Sequence, residues 1–62
     1  NNIKYPCGLK PVCDGDMWGF ADMNGKTVIE AQFQDVNPFT EAGTASVKEN
    51  DSWHVIKLYS YN

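Results

Sequence analysis

The sequence predicts an all-β fold, a small antiparallel meander of β-hairpins, on three observations. Turn-forming dipeptides punctuate it at short intervals, the segments between them alternate or are rich in β-branched and aromatic residues, and one stretch recurs at a fixed offset. With 62 residues the chain makes a single small β-domain, residues 1–62. A domain of that size buries only about 60% of the surface its unfolded form exposes, so packing against neighbours is expected.

Each element follows from local chemistry. Residues 8 to 13 read as a strand leading into Asp14-Gly15, and Asn24-Gly25 follows ten residues later. Both dipeptides suit the two central positions of a type I′ hairpin turn, because both residues there need positive φ. Between them, Met17 to Asp22 places Trp18 and Phe20 on one face and Met17, Gly19 and Ala21 on the other. Lys26 to Glu30 carries the β-branched run Thr27-Val28-Ile29, which favours a pleated strand. From Gln32 to Phe39 the alternation fails, and Asn37-Pro38 blocks a helix; this segment is expected to be irregular, with Phe33 and Phe39 as core anchors. Thr44 to Lys48 alternates small polar with apolar residues, Glu49 to Ser52 is a turn, and Trp53 to Tyr59 is a strand. Both faces of that last strand are apolar, which predicts that it is either central or covered by something beyond the 62 residues. Tyr59 to Asn62 reads as a frayed or docked tail.

Residues 8–20 align without gaps on residues 43–55 at an offset of 35. Gly8, Val12, Asp16 and Trp18 coincide in type with Gly43, Val47, Asp51 and Trp53. A period in this range marks a repeat array, whose units cannot each bury their faces alone. One full unit, 18–52, is then flanked by parts of two others, about one and a half repeats in all.

Composition excludes several functions. At 42% hydrophobic and 13% aromatic residues the chain is too apolar to remain disordered. Apolar runs extend only a few residues, so no membrane-spanning helix and no signal-peptide core are expected, and the chain reads as soluble. The net charge is −3 and all five basic residues are lysines. Nucleic-acid binding is mostly phosphate neutralisation, with Arg making the commonest base contact, so this balance argues against DNA or RNA as partner. The acidic balance and the Tyr, Asn and Thr content lean toward a secreted or surface protein.

The residues resemble the WG-repeat family, named for its Trp-Gly pair. The resemblance rests on Trp18-Gly19-Phe20-Ala21-Asp22, Asn24-Gly25-Lys26, Val28-Ile29, Phe33, Phe39, Glu41, Gly43, Ala45 and Val47, with the next unit opening at Trp53. It spans residues 8 to 57. Three positions depart from the pattern: Ala21 is small, Glu30 is polar, and His54 replaces the Gly of the second pair, which suggests a degenerate terminal unit. The resemblance implies hairpins stacked side by side, a scaffolding or binding role, and no common chemistry.

Candidate chemistry is sparse. His54 is the sole candidate general base, no Ser or Cys lies at a spacing that pairs with it, and no catalytic residue is assigned. Asp14, Asp16 and Asp22 suit solvated turns better than a calcium loop. Cys7 and Cys13, about 20 Å apart along a strand, are too distant to bridge and match no zinc spacing. Neither a metal nor a cofactor is expected. Asn50-Asp51-Ser52 matches the glycosylation acceptor and equally a turn. The glycine of the Trp-Gly pair is read as making room for the indole over neighbouring backbone. The sequence therefore points to a non-enzymatic structural or protein-interaction module that packs on adjacent repeats, domains or a partner chain, with small-molecule binding disfavoured. Trp18, Phe20, Trp53, His54 and Tyr59 are the candidate partner-facing residues. The competing expectation is a small SH3-like or carbohydrate-binding β-barrel using exposed aromatics.

Overall fold

The computed structural model describes residues 5–61. Six antiparallel strands dominate: β1 (Leu9–Asp14), β2 (Met17–Asp22), β3 (Thr27–Phe33), β4 (Asp35–Val36), β5 (Thr44–Glu49) and β6 (Ser52–Lys57), followed by a 3₁₀ helix at Leu58–Tyr61. They form two three-stranded sheets, ordered β1-β2-β3 and β4-β5-β6. Neither sheet closes into a barrel, so the SH3-like or carbohydrate-binding barrel is not the architecture. The 3₁₀ helix occupies most of the segment expected to be a tail, of which Asn62 lies outside the described residues.

The internal repeat is visible in the strand limits. β5 and β6 begin and end 35 residues beyond β1 and β2. The loops entering the two hairpins match as well: the Gly8 amide donates to the Tyr5 carbonyl at 2.8 Å, and the Gly43 amide to the Thr40 carbonyl at 2.9 Å.

The turns differ from those expected. Asp14 pairs with Met17, so the first hairpin turns on Gly15-Asp16 rather than Asp14-Gly15. Asn24-Gly25 belongs to a three-residue loop, because the Asp22 amide donates to the Lys26 carbonyl at 2.8 Å and the Gly25 amide to the Asp22 carbonyl at 3.0 Å. Gly25 takes the left-handed conformation, φ 88°, that such a loop needs at its last position. The Asp22 carboxylate stabilises it by accepting from the Asn24 and Lys26 amides, each at 2.9 Å. A type I′ pair with positive φ at both centres does occur, at Asn50 (53°) and Asp51 (64°).

The segment expected to be irregular is the linker of the two sheets. β3 continues to Phe33, and after Gln34 the chain pairs with β5 as β4. The Gln34 amide donates to the Lys48 carbonyl at 2.7 Å and the Asn37 amide to the Ser46 carbonyl at 2.9 Å. One extended stretch thus edges β2 at its start and β5 at its end.

Phe33 and Phe39 anchor it as expected, in a core with Leu9, Phe20, Ile29, Ala45, Val47 and Ile56. The Phe20 and Phe39 rings meet at 4.8 Å between centroids, tilted by 60°. The pairing register assigns the faces. Leu9, Trp18 and Phe20 share one side of the first hairpin, which we term its leading face. Ala45, Val47 and Ile56 share the opposite, trailing side of the second. The leading face of the first unit and the trailing face of the second therefore supply the two walls of the core.

Gly19 is buried where neighbouring backbone comes too close for a Cβ. β3 carries extra residues opposite β2, with register shifts on both sides of Phe20, and this bulge crosses the strand at Gly19. A Cβ there would meet the backbone of β3: the Ile29 carbonyl oxygen, Ala31 N at 2.7 Å and Glu30 C at 2.8 Å. Strand backbone fills the space.

Gly19→Ala is expected to cost at least about 2 kcal/mol, because backbone on both sides must move. Gly25→Ala meets open space and carries only the left-handed penalty, about 1 kcal/mol. Urea denaturation of the two variants checks the order; equal costs would refute the crossing as the reason for Gly19.

Candidate interaction face

By register, Thr44, Ser46, Lys48, Trp53, Val55 and Lys57 form the leading face of the second hairpin. Its counterpart in the first hairpin faces the core, whereas here Trp53 is 49% and Val55 59% exposed. The difference lies in the surroundings. β2 is bordered by β3, while among the described residues β6 pairs with β5 alone and is an edge strand. Of the two expectations for this strand, the central position is therefore corrected, and within the chain its leading face is open.

The candidate partner-facing residues separate accordingly. Phe20 is fully buried and presents nothing to a partner, and Trp18 is half-buried beside it. Trp53 and Tyr59 are exposed, with the Lys57 ammonium 5.8 Å from the centre of the Tyr59 ring. His54 lies on the other side of β6, in register with Val47, and its Nε2 is 3.0 Å from Glu49 Oε1. Both side chains of that pair are largely in water, so it stabilises by less than about 1 kcal/mol. His54 and Trp53 thus belong to opposite faces of the strand.

The open face has a charge of its own. It carries Lys48 and Lys57 and no acid, on a chain of net charge −3. Elsewhere the thiols are occupied locally: Cys7 Sγ donates to the Thr40 carbonyl and Cys13 Sγ to the Gly15 carbonyl, each at 3.2 Å, and neither is bridged. Among the described residues no three His, Cys, Asp or Glu side chains are placed to hold a metal, and no helix is long and apolar enough to cross a membrane.

Sequence reasoning missed Gln34, which ties the linker to the second hairpin. Its Oε1 accepts from the Asp51 amide at 2.6 Å and its Nε2 donates to Asp51 Oδ1 at 3.1 Å. This gives the coincidence of Asp16 and Asp51 a physical meaning, since an acid at this turn position can be gripped by the strand entering its sheet. The signal was the identity of two turn acids at the repeat offset; its partner, 17 residues upstream of Asp51, carried none.

These features define an all-β repeat protein whose hairpins share a linker strand and stack face to face. The family model described as WG containing repeat matches residues 18–53, more than half of the chain, and the chain belongs to the WG-repeat family. No curated protein and no solved structure matches it.

Gln34→Ala is expected to lower stability by about 1 kcal/mol, and Gln34→Glu by more, since it sets a second carboxylate against Asp51. Trp53→Ser should cost under about 1 kcal/mol, against about 3–5 kcal/mol for Phe20→Ala. Denaturation midpoints read both comparisons; a large loss at Trp53 would mean that this face is already used within the chain.

Proposed function

We propose that this repeat module performs no chemistry and serves as an interaction unit, burying its open hairpin face against a neighbouring repeat, domain or partner chain. The observation that carries the reading is the contrast between equivalent positions. Phe20 is completely buried while Val55, its counterpart 35 residues on, is 59% exposed. An apolar side of a hairpin that forms the core in one unit and meets water in the next is a surface built for covering. The setting of His54 supports the same reading: this sole candidate base is half-exposed on an edge strand, its Nε2 3.0 Å from Glu49 Oε1.

Lengthening the chain tests this. Residues 27–61 are repeated after Tyr61, with His54→Gly in place so that a strand like β3 can cross β6. Hydroxyl-radical labelling read by mass spectrometry is expected to show Trp53 several-fold less labelled than in the single chain. Unchanged labelling would overturn the reading that this face accepts a neighbour.

A further inference from the structure

An asparagine side chain can be attacked by the backbone nitrogen of the residue after it, and that residue decides whether the attack is open. Three asparagines lie among the described residues. Asn37 precedes Pro38, whose nitrogen bears no hydrogen to lose. Asn50 precedes Asp51, whose side chain crowds the approach and whose N–H is donated to Gln34 Oε1 at 2.6 Å. Asn24 precedes Gly25, which presents a nitrogen with no side chain beside it.

The surroundings favour the same residue. Met23, Asn24, Gly25 and Lys26 are all exposed, and nothing lies within 4 Å of the place where a Gly25 Cβ would stand. A ring closing there meets water and no packed side chain.

We propose that Asn24 is a site of spontaneous backbone modification, gated by Asp22. In the reaction the Gly25 nitrogen gives up its proton and bonds to the side-chain carbonyl carbon of Asn24, and that carbon releases its own nitrogen as ammonia. Water then opens the cyclic imide at either carbonyl, which leaves an aspartyl or an isoaspartyl residue. Water enters, ammonia leaves, and nothing is oxidised or reduced.

The gate is the hydrogen bonding of the loop. The Gly25 N–H that must lose its proton is donated to the Asp22 carbonyl at 3.0 Å. The Asp22 carboxylate accepts from the Asn24 and Lys26 amides at 2.9 Å each, and the Asp22 amide donates to the Lys26 carbonyl at 2.8 Å. All four bonds end on Asp22. Ring closure swings the Gly25 nitrogen toward the Asn24 side chain and off the Asp22 carbonyl, so the loop has to open first. The rate is then that of the unstructured dipeptide multiplied by the fraction of time the loop is open.

The isoaspartyl product has a structural consequence. It routes the main chain through its Cβ and so adds a backbone atom to a loop closed at three residues. β3 enters from this loop, with Thr27 in register with Ala21. The lengthened loop loosens the start of the strand that crosses Gly19.

Incubation of the natural chain at neutral pH, followed by peptide mapping with mass spectrometry, tests the proposal; an isoaspartyl methyltransferase assay distinguishes the two products. Conversion is expected at Asn24 and at neither Asn37 nor Asn50, about tenfold slower in the folded chain than in urea. Asp22→Ala should speed conversion of the folded chain several-fold, with circular dichroism confirming the fold. Gln34→Ala weakens the chain away from this loop and should leave the rate nearly unchanged. If Asp22→Ala does not fold, protection of the Gly25 amide against hydrogen exchange reads the same gate in the natural chain and should match the slowing of conversion. Conversion beginning at another asparagine, or a folded rate equal to that in urea, would overturn the proposal. So would a folded chain that never converts while the chain in urea does, or equal acceleration by Asp22→Ala and Gln34→Ala.

Discussion

At Gly19 two strands come closer than any side chain allows, and the rest of the molecule is arranged around that approach. The extra residues of β3 pass over β2 there, and this carries Ile29 and Phe33 from opposite ends of the bulge into the same core. Without the crossing, β3 would run straight along β2 and strict alternation would turn some of its apolar residues outward. The crossing also accounts for burial on both faces of β2, where Gly19, Phe20 and Ala21 are all withdrawn from water.

The same strand binds the two halves together. After Phe33 a single residue, Gln34, separates pairing with the first sheet from pairing with the second. Gln34 is fixed through its backbone to Lys48 and through its amide to the turn at Asp51. One continuous stretch thus supplies an edge strand to each sheet, and the two sheets share one apolar core.

Much of this was legible beforehand, and the reasons differ by element. The recurrence of Gly8 to Phe20 at Gly43 to Val55 located both hairpins, because strand limits follow alternation and turn residues, which are local. Phe33 and Phe39 read as anchors because large aromatics dominate small cores. The character of residues 32–36 was not legible: the β3 bulge breaks the alternation by which a strand is recognised. Nor was the burial of Phe20 against the exposure of Val55. Both sit at the same position of the same motif, and what separates them is a strand beside one and not the other. The purpose of Gly19 was hidden for a related reason, since the atoms that exclude a side chain there belong to residues 29 to 31.

The constancy of the 35-residue spacing bears on how such a protein can lengthen over generations. Any stretch of coding sequence of that length, duplicated from any starting codon, would insert one complete hairpin and linker without shifting a strand out of phase. One obstacle lies at codon 54, where imidazole replaces hydrogen, and a second at codon 60, where serine stands in place of the left-handed glycine of the preceding unit.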